Sequence, residues 1–261
     1  MGGRPLRLEV PLLLALAGAL VASVHCGGDD TTGHPRVRFP VSVRGINPTS
    51  ENPVGWRVTV EHAYVALGPV RWYEGAPIFG RNLLERLLGV GVAYAHPGHY
   101  VPGEALADIT APRVVDLMAT EATPLGGADG VAGDAQSARV ELHPPDASLG
   151  VTRDALHGLA LWTRGTATRA GTTVRFEGGV AVDYAVRGVP ARAALASTGR
   201  FVVSVDLARW FDQVDFSGLA EGADGSPAPI AVGSVAANGL YRGATNGASY
   251  VFAWQADAGV R

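Results

Sequence analysis

The stretch His96-Pro97-Gly98-His99-Tyr100-Val101-Pro102-Gly103-Glu104 is the part of this chain best supplied for chemistry. Pro at the second and Gly at the third position of a four-residue turn is a type II pattern: Pro pre-sets φ and Gly accepts a positive φ. The first such turn is flanked by His96 and His99. Its ends lie within about 7 Å when it forms, so both imidazoles can converge on one metal ion. Glu104 closes the second turn and offers a carboxylate. The same turn also forms with no metal bound, so the motif alone leaves both readings open.

A complete site needs further ligands. Three nitrogens, or two and a carboxylate, make an open site, and four donors a closed tetrahedral one. His62 and His143, each placed on a strand, are the histidines that a β scaffold can bring to the same end. His62 shares the apolar face of Trp56 and Tyr64 in a simple alternating register, which also suits a hydrogen-bonded core histidine. His157, beside Leu159 and Leu161, reads as packing. Met118 is the only methionine after the first residue, which disfavours a Met-rich Cu(I) carrier. Cu(II) or Zn(II) on nitrogen and oxygen ligands fits the set best, and Fe(II) stays open.

Other chemistries are excluded or weak. All 21 basic residues are Arg, so no Schiff-base, Ser-Lys or P-loop lysine exists. The chain has no Gly-x-Ser-x-Gly elbow, no His-Glu-x-x-His and no dinucleotide fingerprint. Glu104 acting as general base on a metal-bound water would make a hydrolase, the least supported reading. Trp56, Trp72, Trp162, Trp210 and Trp254 are scattered over separate elements and read as core.

The elements that must position these residues begin after an export signal. Arg4 and Arg7 precede an apolar run from Pro11 to Val24, too short for a comfortable membrane span. It ends in Ser23-Val24-His25-Cys26-Gly27-Gly28-Asp29-Asp30, which resembles a bacterial lipoprotein signal. His25 stands where that signal has Gly, Ala or Ser, and cleavage after Ala19 is the alternative. The resemblance implies that residues 1–25 are removed and that Cys26, the only cysteine, is lipidated. It further implies an envelope protein anchored in the outer membrane, facing the periplasm or cell surface, with an envelope protein as candidate partner. Without residues 1–25 the chain carries 19 Arg against 23 acidic residues, which gives no footprint for nucleic acid. Oligomeric state is not legible.

Residues 26–35 read as a tether and 36–261 as one all-β domain, an antiparallel β-sandwich of roughly eight to ten strands. Val37, Phe39, Val41 and Val43 alternate with polar residues, and similar patterns recur around 55–67, 112–118, 138–143, 156–168, 172–186, 201–206 and 250–254. Gly178-Gly179 predicts a bulge. The segment 124–137, rich in Gly, Ala and Asp, reads as a loop. Asp206 is placed to cap a short helix carrying Leu207, Trp210 and Phe211. At about 75–110 the strand rhythm breaks. Leu83, Leu84, Leu87 and Leu88 repeat at helical spacing, so a short helix leads into the histidine turns.

Overall fold

The computed structural model describes residues 33–78 and 100–257. Residues 36–46 form the first strand because their apolar side chains repeat every second position, and the burial follows: Val37, Phe39, Val41 and Val43 are all buried. Thirteen strands occur among the described residues, all in one hydrogen-bonded sheet. They are β1 (Arg36–Ile46), β2 (Thr49–Glu51), β3 (Arg57–Tyr73), β4 (Ala105–Ile109), β5 (Arg113–Asp116), β6 (Thr123–Val131) and β7 (Gly133–Leu142). They continue with β8 (Leu161–Arg169), β9 (Thr172–Val180), β10 (Tyr184–Leu195), β11 (Gly199–Asp206), β12 (Ala228–Ile230) and β13 (Tyr250–Ala256). The two α-helices among the described residues are α1 (Leu207–Phe211) and α2 (Val235–Ala244).

The all-β expectation holds, with more strands than the eight to ten read from the sequence and with two parallel pairs, β1 with β11 and β9 with β12. The path runs β12-β9-β8-β3-β4-β6-β1-β11-β13, with β7 joining β3 to β10 and with β2 and β5 on β3. The 17-residue β3 is the hub. Its first half pairs with β8 and its last residues lie between β4 and β7. The sheet curls until β10 packs beside β13. Phe39, Trp72, Phe201, Phe252 and Trp254 interlock inside it, mostly edge to face. A second aromatic group, Trp56, Phe176, Phe211 and Phe216, seals the sheet against α1.

Three expectations needed correction. The 124–137 segment is not a loop but most of β6 and the start of β7. Its glycines belong to a sheet in which neighbouring backbones approach closely: a Cβ on Gly130 would lie 2.1 Å from the Leu106 carbonyl oxygen. Gly178-Gly179 makes no bulge, since β8 and β9 pair without a shift from Leu161↔Val180 to Arg169↔Thr172. Gly178, at φ 135°, instead lets β12 come close, with Ile230 where its Cβ would be. The break at 75–110 ends earlier than expected, because Ala105–Ile109 is already strand. The helix expected at 81–88 lies outside the described residues. Asp206 does cap α1, accepting from the Ala208 N–H at 3.1 Å, and Leu207, Trp210 and Phe211 are buried.

Candidate functional site

His96 and His99 lie outside the described residues, as does Cys26. The scaffold on either side of the turns is described. Ile78 donates its N–H to the Gly188 carbonyl at 2.9 Å, fixing one limb to β10. The other limb returns at Tyr100. Ser137, fully buried on β7, donates to the Gly75 carbonyl, so its oxygen must accept from the Tyr100 hydroxyl, 2.6 Å away. Burial at this contact pushes the Tyr100 phenol up from its ordinary pKa. Gly75 N–H donates to Pro102 O at 2.7 Å, and Glu74 N–H to Glu104 O at 3.2 Å. No side chain fits at position 75, where a Cβ would lie 2.3 Å from the Pro102 oxygen. Both limbs thus stand on β7 and β10, which pair with each other.

The remaining expected ligands are spread along β3. Glu104 is exposed and abuts Glu74, one residue past the end of β3. His143 sits just beyond β7, donating its N–H to Ala66 O, with its Nε2 3.7 Å from Glu141. His62 lies four residues before Ala66, roughly 13 Å at the rise of a strand, and Glu74 lies roughly 25 Å the other way. Among the described residues, no three of His, Cys, Asp and Glu come together as a metal-ligand group.

His62 also takes the opposite face from the one expected. The register shifts between Val60 and His62, so Glu61 is the extra residue and the side chains from His62 change side until a second shift between Leu67 and Val70. Val58 and Val60 point inward before the bulge, Ala63 and Val65 after it, and His62 is exposed. There it joins Tyr64 and the part-exposed Trp162 across the strand pair, with the Trp162 ring 6.5 Å from that of His62 and 6.2 Å from that of Tyr64. His157 is not a core packing residue; it is exposed at φ 50°, with its ring 4.7 Å from Trp162. Trp162 is accordingly a surface residue, whereas Trp56, Trp72 and Trp210 are buried.

A second group was not singled out in the sequence. On the outer face Arg38 stands opposite Asp129, Asp129 opposite Asp108, Asp108 opposite Arg71, and Arg71 opposite Arg139. Beyond Arg139, β10 bulges, so that Arg187 and Gly188 together face that one residue. Arg71, Arg139 and Arg187 therefore form a row across β3, β7 and β10. Arg71 and Arg139 each lie between inward-facing core residues, and only the register reveals that the three are neighbours. Arg187 also lines a cleft of about 450 Å³ with Ile78, Asp183, Tyr184 and Thr245.

No helix among the described residues is long and apolar enough to cross a membrane. No protein-family model matches the chain, and no curated protein matches it in sequence. Among solved structures the chain is similar to MbnP from Methylosinus trichosporium, at 10% identity and a TM-score of 0.37, over 85% of this chain and 99% of that one.

Proposed function

We propose that this is an exported, lipid-anchored β-sheet protein that binds a transition metal, Cu(II) or Zn(II), through His96 and His99 of the His-Pro-Gly-His turn. Glu104 is the nearest carboxylate in the sequence and the candidate third ligand. The supporting observation is the anchorage of the segment that carries the turn: Ile78 is tied to β10, and Tyr100, the residue after His99, is tied to buried Ser137. A fixed scaffold at both limbs lowers the conformational cost of presenting ligands. His62 and His143 are left out of this set, because they stand at other points along β3. Metal analysis of untagged protein, beside a His96→Ala/His99→Ala variant, tests the reading. Near-stoichiometric Cu or Zn is expected in the wild type and a loss in the variant; equal trace metal in both would end it. The anchor is tested separately by labelled palmitate, which Cys26→Ser should no longer incorporate.

A second reading, a metal-free envelope protein that binds a partner, is favoured by the outward-facing rings of His62, Tyr64, Trp162 and His157. Under it the double-histidine variant keeps both partner binding and its thermal response to added metal unchanged.

A further inference from the structure

We infer that the row Arg71–Arg139–Arg187 binds a small oxyanion, a carboxylate or a phosphate, at the mouth of the cleft beside Ile78. The inference does not rest on the metal reading.

The register makes the case. Arg71 and Arg139 are directly opposed across β3 and β7, and Arg187 opposes Arg139 from the β10 bulge. Opposed residues in a sheet lie about 5 Å apart at Cα, and like charges in that position repel. The chain places three such charges in a row where polar or small side chains would pair without cost. An anion seated between guanidiniums turns that repulsion into attraction, and the planar fork of Arg matches the oxygen pairs of carboxylates and phosphates.

The partners already present do not saturate the row. A guanidinium carries five N–H donors. Arg139 has one strong acceptor, Glu141 Oε1 at 2.7 Å from Nη2, and its Nε is enclosed with no partner. Arg71 has only Asp108, at 3.8 Å from Nε, too long for a hydrogen bond. Arg187 is exposed and makes no hydrogen bond or ion pair among the described residues. The acids nearby are Glu141 and Asp108, each already turned to one arginine, and Asp183, exposed in the cleft. Asp183 limits the site to one small anion and disfavours a polyanion.

The surroundings are built rather than open. Gly188, at φ 67°, leaves room for Ile78, whose side chain occupies the space a Cβ would need. Ile78 and Tyr184 thus wall the cleft that Arg187 enters. Tyr100 lies two residue pairs along β7, over Ser137.

The test is titration calorimetry on full-length protein stripped of metal on a chelating resin, with inorganic phosphate and malonate as separate probes at constant ionic strength. Saturable binding of either probe is expected. Phosphate alone assigns a tetrahedral oxyanion, malonate alone a carboxylate, and both an unselective oxyanion site. Arg139→Gln and Arg187→Gln should each weaken binding about tenfold, the loss of one charge-assisted contact. Arg187 is exposed, so its variant tests the site even if Arg139→Gln fails to fold. No saturable heat with either probe, or unchanged affinity in Arg187→Gln, overturns the inference.

Discussion

Asn52 donates from one Nδ2 to the carbonyls of Phe211 and Val214, each at 2.9 Å, across 159 and 162 residues of sequence. Its Oδ1 accepts the N–H groups of Val54 and Trp56. A buried amide is therefore fully used, and it ties the β2–β3 turn to the end of α1.

Asn52→Ala should accordingly be among the most damaging single changes. It strands the buried Val214 carbonyl and the Trp56 N–H, and takes a donor from the Phe211 carbonyl, which keeps the Val214 N–H; a buried unpaired group costs about 1–3 kcal/mol. With partial relaxation, the expected loss is about 3 kcal/mol. Urea denaturation should show a lowered midpoint at an unchanged m-value. A loss below about 1 kcal/mol would mean that water replaces the amide.

How far the sequence showed this molecule depends on which interaction decides each element. Strands with clean alternation, such as β1 and β13, were legible because burial on one face imposes a period of two. So was the Asp206 cap, a purely local device. Three features rest on neighbours distant in sequence. The side taken by His62 depends on one extra residue at Glu61, visible only against β8. β10 is broken by two register shifts and contains Pro190, which erases its period. α2 is missed because its buried face is made of Ala and Gly: Ala236, Ala237, Gly239, Gly243 and Ala244, with Leu240 the only large side chain. The arginine row illustrates the same limit for function. Each arginine alone reads as a solvated strand residue, and pairing alone makes them a group.

Gly130 tests why a glycine-rich run folds as strand. A Cβ there would lie 2.1 Å from Leu106 O and 2.5 Å from the Ala107 Cβ, both on or beside β4. Neither atom is the free end of a flexible side chain, so the two strands must part. Gly130→Ala should cost about 3 kcal/mol or more, at the upper end for overpacking. Gly171, at the β8–β9 turn, has open space where its Cβ would be but holds φ 82°. Gly171→Ala should cost only about 1 kcal/mol, the strain of a left-handed residue. Thermal denaturation of both variants compares them; equal losses would refute the contact argument.

Asp215 sets a pH dependence whose sign follows from its partners. Its Oδ1 accepts from the Ser217 hydroxyl and N–H and from the Trp56 indole N–H at 3.0 Å, with Arg169 3.8 Å away and stacked 4.4 Å over the Trp56 ring. The Ser217 hydrogen bonds, then Trp56 and Arg169, hold the carboxyl below its ordinary range, against a smaller opposing effect of burial. A carboxyl depressed in the folded state contributes stability above its unfolded pKa, near 3.9, and loses it as pH falls through the folded value. Asp215→Asn removes that contribution while keeping an acceptor for Trp56. The stability gap between wild type and Asp215→Asn should therefore be constant from neutral pH to about 5 and narrow below about 4. The side chain is more than a third exposed, so the gap itself will be small, and salt will reduce it. Paired urea titrations across the acid range measure it. A gap that widens on acidification would show that the Asp215 carboxylate destabilises the fold it joins.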